Sequence, residues 1–314
     1  MQNYKPESDW VAISKGIAIF SVIAGHIFVG PVSKAIFLFH MPFFFFLSGL
    51  LFKPRSQKLL ATNKAKTQII PYVKYLFLFF LVLIIQKELN NTLTYTVFFK
   101  DLAKQILGGR WLTHVQSVFW FIPVFFMSQQ TLNFMLNNYS MNACKLIIAI
   151  MLLLAYIDSI FFKIQLPLNI TTVLYTTPIM FVGYIMKGFI DRVNSILLCS
   201  LSLLGLFLVE SYPSLFSIDL KFAEYGFPLF SFIVSISISI LLIKISKTSI
   251  LNNKYIIFLG NSSMSIMFIH QFFRFDIFSR FLSSNILIFL ATLAASVIYS
   301  YFMMLLSQKT KAYS

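Results

Sequence analysis

Charged residues are scarce in this chain. Only 11% of the 314 residues are Asp, Glu, Lys or Arg, against roughly 25% in an average soluble domain. Cysteine is scarcer still: Cys144 and Cys199 fall on different expected helices, without metal-type spacing, so they define neither a disulfide framework nor a metal cluster. The start, MQNYKPESDW, lacks the Lys/Arg-rich opening and small-residue cleavage site of a signal peptide, so the first apolar stretch is expected to be kept as a helix. No P-loop, metal-binding cluster or paired-carboxylate constellation is present, and the expected metal complement is none. No internal repeat is visible.

Apolar sequence is what the chain has in excess. Hydrophobic residues make up 58% of it, with 38 phenylalanines, more than one globular core could pack. A bilayer core about 30 Å thick takes around 20 apolar residues per helix. Such stretches fall near 11–29, 35–52, 69–86, 117–136, 145–162, 172–189, 194–209, 227–245, 256–273 and 286–306. The expected fold is therefore all-α: a polytopic transmembrane bundle of about ten helices, with residues 1–314 forming a single membrane domain. The alternation SISISI (235–240) looks strand-like, but an isolated strand cannot span lipid, and it is read as helix.

The net charge of +15 would suggest nucleic acid in a soluble protein. Here it is topological, because cytoplasmic loops collect Lys and Arg. With the N-terminus cytoplasmic, that side holds sixteen of the 25 Lys/Arg but only three of the ten acids, Glu7, Asp9 and Asp191. An even helix count then puts both ends in the cytoplasm. Residues 53–68 (KPRSQKLLATNKAKTQ) form a basic cytoplasmic loop. Residues 87–116 form the longest external one, in which Thr96–Leu107 reads as an interfacial amphipathic helix ended by Gly108 and Gly109.

Ionisable groups inside membrane helices are costly and usually face the protein interior. Lys15 opens the first helix and His26 follows eleven residues later, about 16 Å along the axis and close to three whole turns. Both therefore project from one face, the cation at the cytoplasmic mouth and the imidazole deeper, which suits an anionic acyl donor and a general base. On spacing alone, a snorkelling lysine and a hydrogen-bonded structural histidine account for the pair more simply. His40 precedes Pro42 in FLFHMPFFFFLSGLLF (37–52). The proline should kink the helix and free nearby carbonyls, and Ser48-Gly49 should permit close helix contact.

KGIAIFSVIAGH (15–26), FHMPFFFFLSGLLF (39–52), IIPYVKY (69–75), FWFIPVFF (119–126), PIMFVGYIMK (178–187) and LGNSSMSIMFIH (259–270) occur in that order. Together they resemble the bacterial membrane acyltransferase-3 family, especially its smaller members that acetylate sugars. The resemblance implies an O-acyltransferase, most simply an O-acetyltransferase, in a bacterial cytoplasmic membrane. Its donor would be acetyl-CoA or another acyl-CoA, with no permanently bound cofactor. Its acceptor would be a hydroxyl of an envelope polysaccharide or lipid-linked glycan. It also implies His26 as catalytic base, with His40 as its rival or helper, and donor contacts from Lys15, Lys64 and Lys66. Many members carry Arg at those lysine positions, and Lys does not reproduce a bidentate phosphate contact. Many also carry Asp three residues before the first basic position, where this chain has Ala12.

Trp111, Trp120 and Arg274 could line the acceptor site, although aromatic residues also belt membrane interfaces for no catalytic reason. Ser263 and Ser265 stand seven and five residues from His270, so they make no Ser–His pair, and Asp158 reads as interfacial. A glycan or lipid-linked oligosaccharide transporter is the competing reading, with His26 and His40 as substrate contacts. Transporters of that kind often show paired repeats, which are not visible here. The orientation is open to direct test. Cysteines introduced in 53–68 should resist an impermeant thiol reagent in intact cells while those in 90–105 label, and the reverse pattern would invert the topology.

Overall fold

The computed structural model describes residues 9–312, almost wholly as helix. In chain order the helices are α1 (Asp9–Ile27), α2 (Pro31–Phe37), α3 (His40–Leu50), α4 (Gln57–Lys64), α5 (Ile70–Leu89), α6 (Tyr95–Leu107), α7 (Phe121–Asn138) and α8 (Met141–Ile157). There follow α9 (Val173–Ile185), α10 (Ser195–Ser211), α11 (Pro213–Phe216), α12 (Phe230–Ser246), α13 (Lys254–Asn261), α14 (Ser263–Phe272), α15 (Ser279–Phe281) and α16 (Asn285–Ala312). The described strands are a two-residue antiparallel pair, Ile218 opposite Tyr225 and Asp219 opposite Glu224. Each of the ten apolar stretches contains helix, including SISISI inside α12.

Six helical runs are long and apolar enough to cross a membrane: Asp9–Ile27, Pro31–Leu50, Gln57–Leu89, Met141–Phe162, Pro167–Ile185 and Asn285–Leu306. A seventh is available if the bent pair Lys254–Asn261 and Ser263–Phe281 counts as one span. The chain is thus a multi-pass membrane protein. Its outer surfaces have the composition that lipid favours: on α5, Phe77, Leu81 and Ile85 recur every four residues and are exposed. Helix ends follow local chemistry, with Thr94, Ser140, Asn194 and Asn253 accepting backbone N–H bonds of the helices they precede, as N-cap side chains do.

Two sequence expectations are corrected. Residues 57–68 are not loop, because Gln57–Leu89 runs as one helical rod. Pro71 offers no N–H to the carbonyl four residues back, and the ladder widens into a single π turn over Ala65–Ile69 just before it, a usual way of absorbing such a break. The expected ninth span is broken at Ser262 by a bend of 77°. The helix expected within 87–116 is found over Tyr95–Leu107 and ends at Gly108 and Gly109, both at positive φ. It is tied to α5 by buried Asp101, which accepts from Lys87 and, at 3.1 Å, from Lys104. Burial pushes that carboxyl up, but the two lysines outweigh it and hold it below the usual range.

The helices group into two compact units, each assembled from separated segments. One comprises the chain up to Phe44, Gly188–Phe216 and everything from Ile233; the other comprises Phe45–Lys187 and Ser217–Phe232. In the first unit, α1 lies directly on α13. Gly16 faces the Ile256 carbonyl and Gly260 faces the Ala12 carbonyl, each leaving no room for a Cβ. The start of α1 is also anchored by Lys247, which lies 5.5 Å from the Trp10 ring and forms a 2.8 Å ion pair with Asp191. In the second unit, Gly49 meets the Met180 backbone in the same way, as Ser48-Gly49 leads one to expect.

This unit also pairs the polar side chains of its membrane helices. Gln129 joins Ser48 at 3.0 Å and Gln68 at 3.2 Å, Ser128 joins Thr176 at 2.7 Å, and Asn133 holds the Arg55 backbone on both sides. Gly260→Val should separate α1 from α13 at a cost above the ~1–3 kcal/mol typical of overpacking. A clear drop in the thermal midpoint of the purified protein is expected, with Val29→Ala, at an exposed position, as the unaffected control.

Candidate active site

The histidines of the first unit come together through three local devices. His26 sits in the last turn of α1. The chain turns back through Gly30, and Ser33 Oγ donates to the Gly25 carbonyl at 2.9 Å, laying α2 against the end of α1. Between α2 and α3 the helix breaks at Leu38–Phe39. Pro42, lacking an N–H, leaves the Leu38 carbonyl without its ladder partner, and Ser235 Oγ on α12 donates to it at 2.5 Å. The break makes His40 the first residue of α3. The third device is the bend at Ser262, which redirects the chain so that α14 brings His270 to the same place.

The ring centroids of His26 and His270 lie 5.5 Å apart and nearly parallel, and those of His26 and His40 lie 6.1 Å apart at 85°. Phe37 closes one side, 4.6 Å from His40 and 5.8 Å from His26. His40 and His270 are buried, whereas His26 is half-buried.

Both flanking rings are anchored identically. His40 Nδ1 donates to the Ile36 carbonyl at 2.9 Å and His270 Nδ1 to the Ile266 carbonyl at 3.0 Å. An imidazole whose Nδ1 carries the proton keeps a lone pair on Nε2, and His270 Nε2 has no hydrogen-bond partner among the described residues. The three rings thus form a set of imidazoles in which the half-buried His26 lies beside two anchored, buried ones. Among the described residues, no three His, Cys, Asp or Glu side chains are grouped to hold a metal ion.

Arg274, one turn beyond His270, stacks its guanidinium 4.3 Å from the Phe275 ring and donates to Gln271 at 3.3 Å, so it belongs to the edge of this site. Lys15 is half-buried on the same helix as His26. Lys64, Lys66, Trp111 and Trp120 belong to the second unit. Lys64 ends α4, close enough to Arg55 for the two charges to interact, and Lys66 is exposed on the π turn. Trp111 is half-buried. Trp120, expected as an interfacial belt residue or a platform for the acceptor sugar, is buried edge-on to Phe121. Asp158, expected at the interface, is buried and accepts from the Ile164 N–H at 2.9 Å.

Sequence reasoning passed over His270. It tested the residue only as partner to Ser263 or Ser265, although a histidine within an apolar helix carries a cost that itself signals function. It also passed over Lys53, Lys145 and Lys187. These three line a recess of about 530 Å³ in the second unit together with Phe52, Pro54 and Tyr184.

The chain matches the family model described as "Acyltransferase domain", acyltransferase family 3, over residues 8–305. No curated protein and no solved structure matches it. The anchored geometry predicts that His40 and His270 never adopt the tautomer protonated only at Nε2. Nitrogen NMR of ¹⁵N-histidine-labelled protein checks this, and an Nε2-only signal from either ring would contradict the arrangement.

Proposed function

The chain belongs to acyltransferase family 3 and is a membrane acyltransferase, and on that premise we propose that it acylates a cell-envelope carbohydrate from the opposite side of a bacterial cytoplasmic membrane. The donor in this reading is cytoplasmic acetyl-CoA or another acyl-CoA, and the acceptor is a hydroxyl of an extracytoplasmic polysaccharide or lipid-linked glycan. Ten crossings in this reading are the six long apolar runs, the bent pair and the two 17-residue apolar helices α10 and α12, with α7 as the tenth, and an even number keeps both termini on one side.

The observation that carries the reading is the placement of His26 between two histidines whose Nδ1 atoms are held by carbonyls. A sugar hydroxyl is a weak nucleophile at neutral pH, so attack on a thioester needs a base within hydrogen-bond reach. His26 takes the hydroxyl proton as the oxygen bonds to the acyl carbon. The C–S bond then breaks, and the proton passes on to the departing thiolate, giving an ester and free thiol. His40 and His270 keep His26 in place and stabilise its protonated form through their Nε2 lone pairs. Lys15 lies about 16 Å back along α1, toward the donor side. Lys64, Lys66 and the recess holding Lys53, Lys145 and Lys187 supply positive charge for the donor's phosphates.

His26→Ala should abolish transfer, by about 10²- to 10⁴-fold, while leaving the protein in the membrane. His40→Ala should cost less, since it removes a supporting ring rather than the base. Acyl groups on the envelope glycan, measured by mass spectrometry at equal protein abundance, report both. Near wild-type transfer by the His26 variant would remove the assignment.

A further inference from the structure

The second unit contains a polar assembly that the reaction just described does not use. Asn169, wholly buried and at positive φ, accepts from the Arg110 backbone N–H at 2.9 Å and donates to the Lys221 carbonyl at 2.7 Å. Gly109, also at positive φ, faces the Asn169 side chain so closely that a Cβ would collide with it. Lys221 Nζ donates to the Leu112 carbonyl at 2.7 Å, and Thr172 Oγ1 donates to that of Leu220 at 3.2 Å. Three segments, 109–112, 167–172 and 218–225, are thereby locked together, and two of them hold a residue with a Cβ at positive φ, Leu168 and Ala223. Residues held in such conformations concentrate at functional sites.

What these segments hold is incompletely satisfied. Arg110 Nε and Nη2 are buried without a hydrogen-bond partner among the described residues. Those two atoms form the edge of a guanidinium that grips a carboxylate or phosphate in a bidentate fork. Asp158 uses Oδ1 on the Ile164 N–H, while its Oδ2 is likewise buried and unpartnered. The obvious remedy, an Arg110–Asp158 ion pair, is not made, although both charges act on the phenol of Tyr225. Burial, the largest influence on that phenol, holds it well above its ordinary range, so it is a neutral hydroxyl able to donate. The Thr172 side chain is its hydrogen-bonding neighbour. The ring is stacked flat on Tyr175, with centroids 4.2 Å apart and planes within 3°. An isolated buried guanidinium and an isolated buried carboxylate are each costly. A ligand carrying an oxyanion for one and a hydroxyl for the other removes both costs.

We propose that Arg110 and Asp158, beside Tyr225, form a recognition site for a sugar bearing an oxyanion, which Arg110 takes in its fork while Asp158 accepts from a ring hydroxyl. This deepens the function proposed above, on which it rests for the carbohydrate nature of the acceptor. In that topology all three segments lie on the extracytoplasmic side. It makes the acceptor an acidic saccharide, its anion supplied by a uronic carboxylate or a phosphate ester.

Calorimetric titration of the purified full-length protein tests the site without requiring turnover. Glucuronate or glucose 1-phosphate should bind at least roughly tenfold more tightly than glucose, a difference within reach of one charge-assisted bidentate contact. The tighter of the two identifies carboxylate or phosphate. Arg110→Gln should abolish the preference. Arg110→Lys, which keeps the charge but not the fork, should weaken it at an unchanged thermal midpoint, and Asp158→Asn should weaken both acidic sugars. Equal binding of glucose, no binding of either acidic sugar, or unchanged binding in a folded Arg110 variant overturns the site. His26→Ala separates the two readings: it should leave acidic-sugar binding intact, and if it instead retains transfer, the catalytic assignment fails while the binding result stands.

Discussion

Gly16 and Gly260 let two helices touch backbone to backbone, and the placement of the histidines follows from that contact. Lipid provides no hydrophobic drive between helices, so association in the bilayer depends on close van der Waals approach, which small residues permit. Here α1 and α13 each present a glycine to the other's carbonyl. With α13 pressed on the early part of α1, the 77° bend at Ser262 sends α14 toward the far end of the same helix. There His270 reaches His26. A side chain at either glycine would move α13 and carry the third imidazole away with it.

The second constraint is the cost of leaving polar groups unpaired where water is absent. The chain meets it repeatedly with local repairs. Ser235 collects the carbonyl that Pro42 frees, Gln68, Gln129 and Ser48 join in series, and Ser14, Ser21, Ser239 and Ser246 donate to carbonyls four residues back. Among the buried atoms left without a partner in the described residues are His270 Nε2 in one unit and atoms of Arg110 and Asp158 in the other. The first belongs to a set of bases suited to proton transfer. The others combine a free fork and a free carboxylate oxygen, groups suited to holding a charged, hydroxylated molecule rather than to transforming it.

Much of this was legible in the residues themselves. Each of the ten apolar stretches of the right length contains helix, since a bilayer of fixed thickness imposes a length that composition alone reveals. Pro42 announced the break beside His40, Gly108 and Gly109 the end of the interfacial helix, and Ser48-Gly49 a close contact, because each acts through backbone chemistry within a few residues. The order of motifs identified the family, and His26 and His40 could be named as a pair. The basic stretch 57–68 was misread as loop because its charge spoke for exposure while its Leu59, Leu60 and Ala61, good helix formers, spoke for the rod it forms.

What the sequence could not supply was adjacency between distant residues. His270 stands 244 positions from His26 in the numbering, and only the glycine contact and the bend bring their rings to 5.5 Å. Trp120, read as an interfacial belt residue with sugar stacking as the alternative, is buried, which its place in the sequence does not reveal. Arg110, Asp158 and Tyr225 lie far apart in the numbering, and the paired hydrogen bonds of one buried asparagine join the segments that carry Arg110 and Tyr225. Composition, periodicity and single-residue backbone chemistry act over a few ångströms of chain and so determine helices, breaks and membrane residence. Which polar groups meet, and which are left without partners, depends on packing between elements far apart in the chain, and the tertiary structure alone decided it.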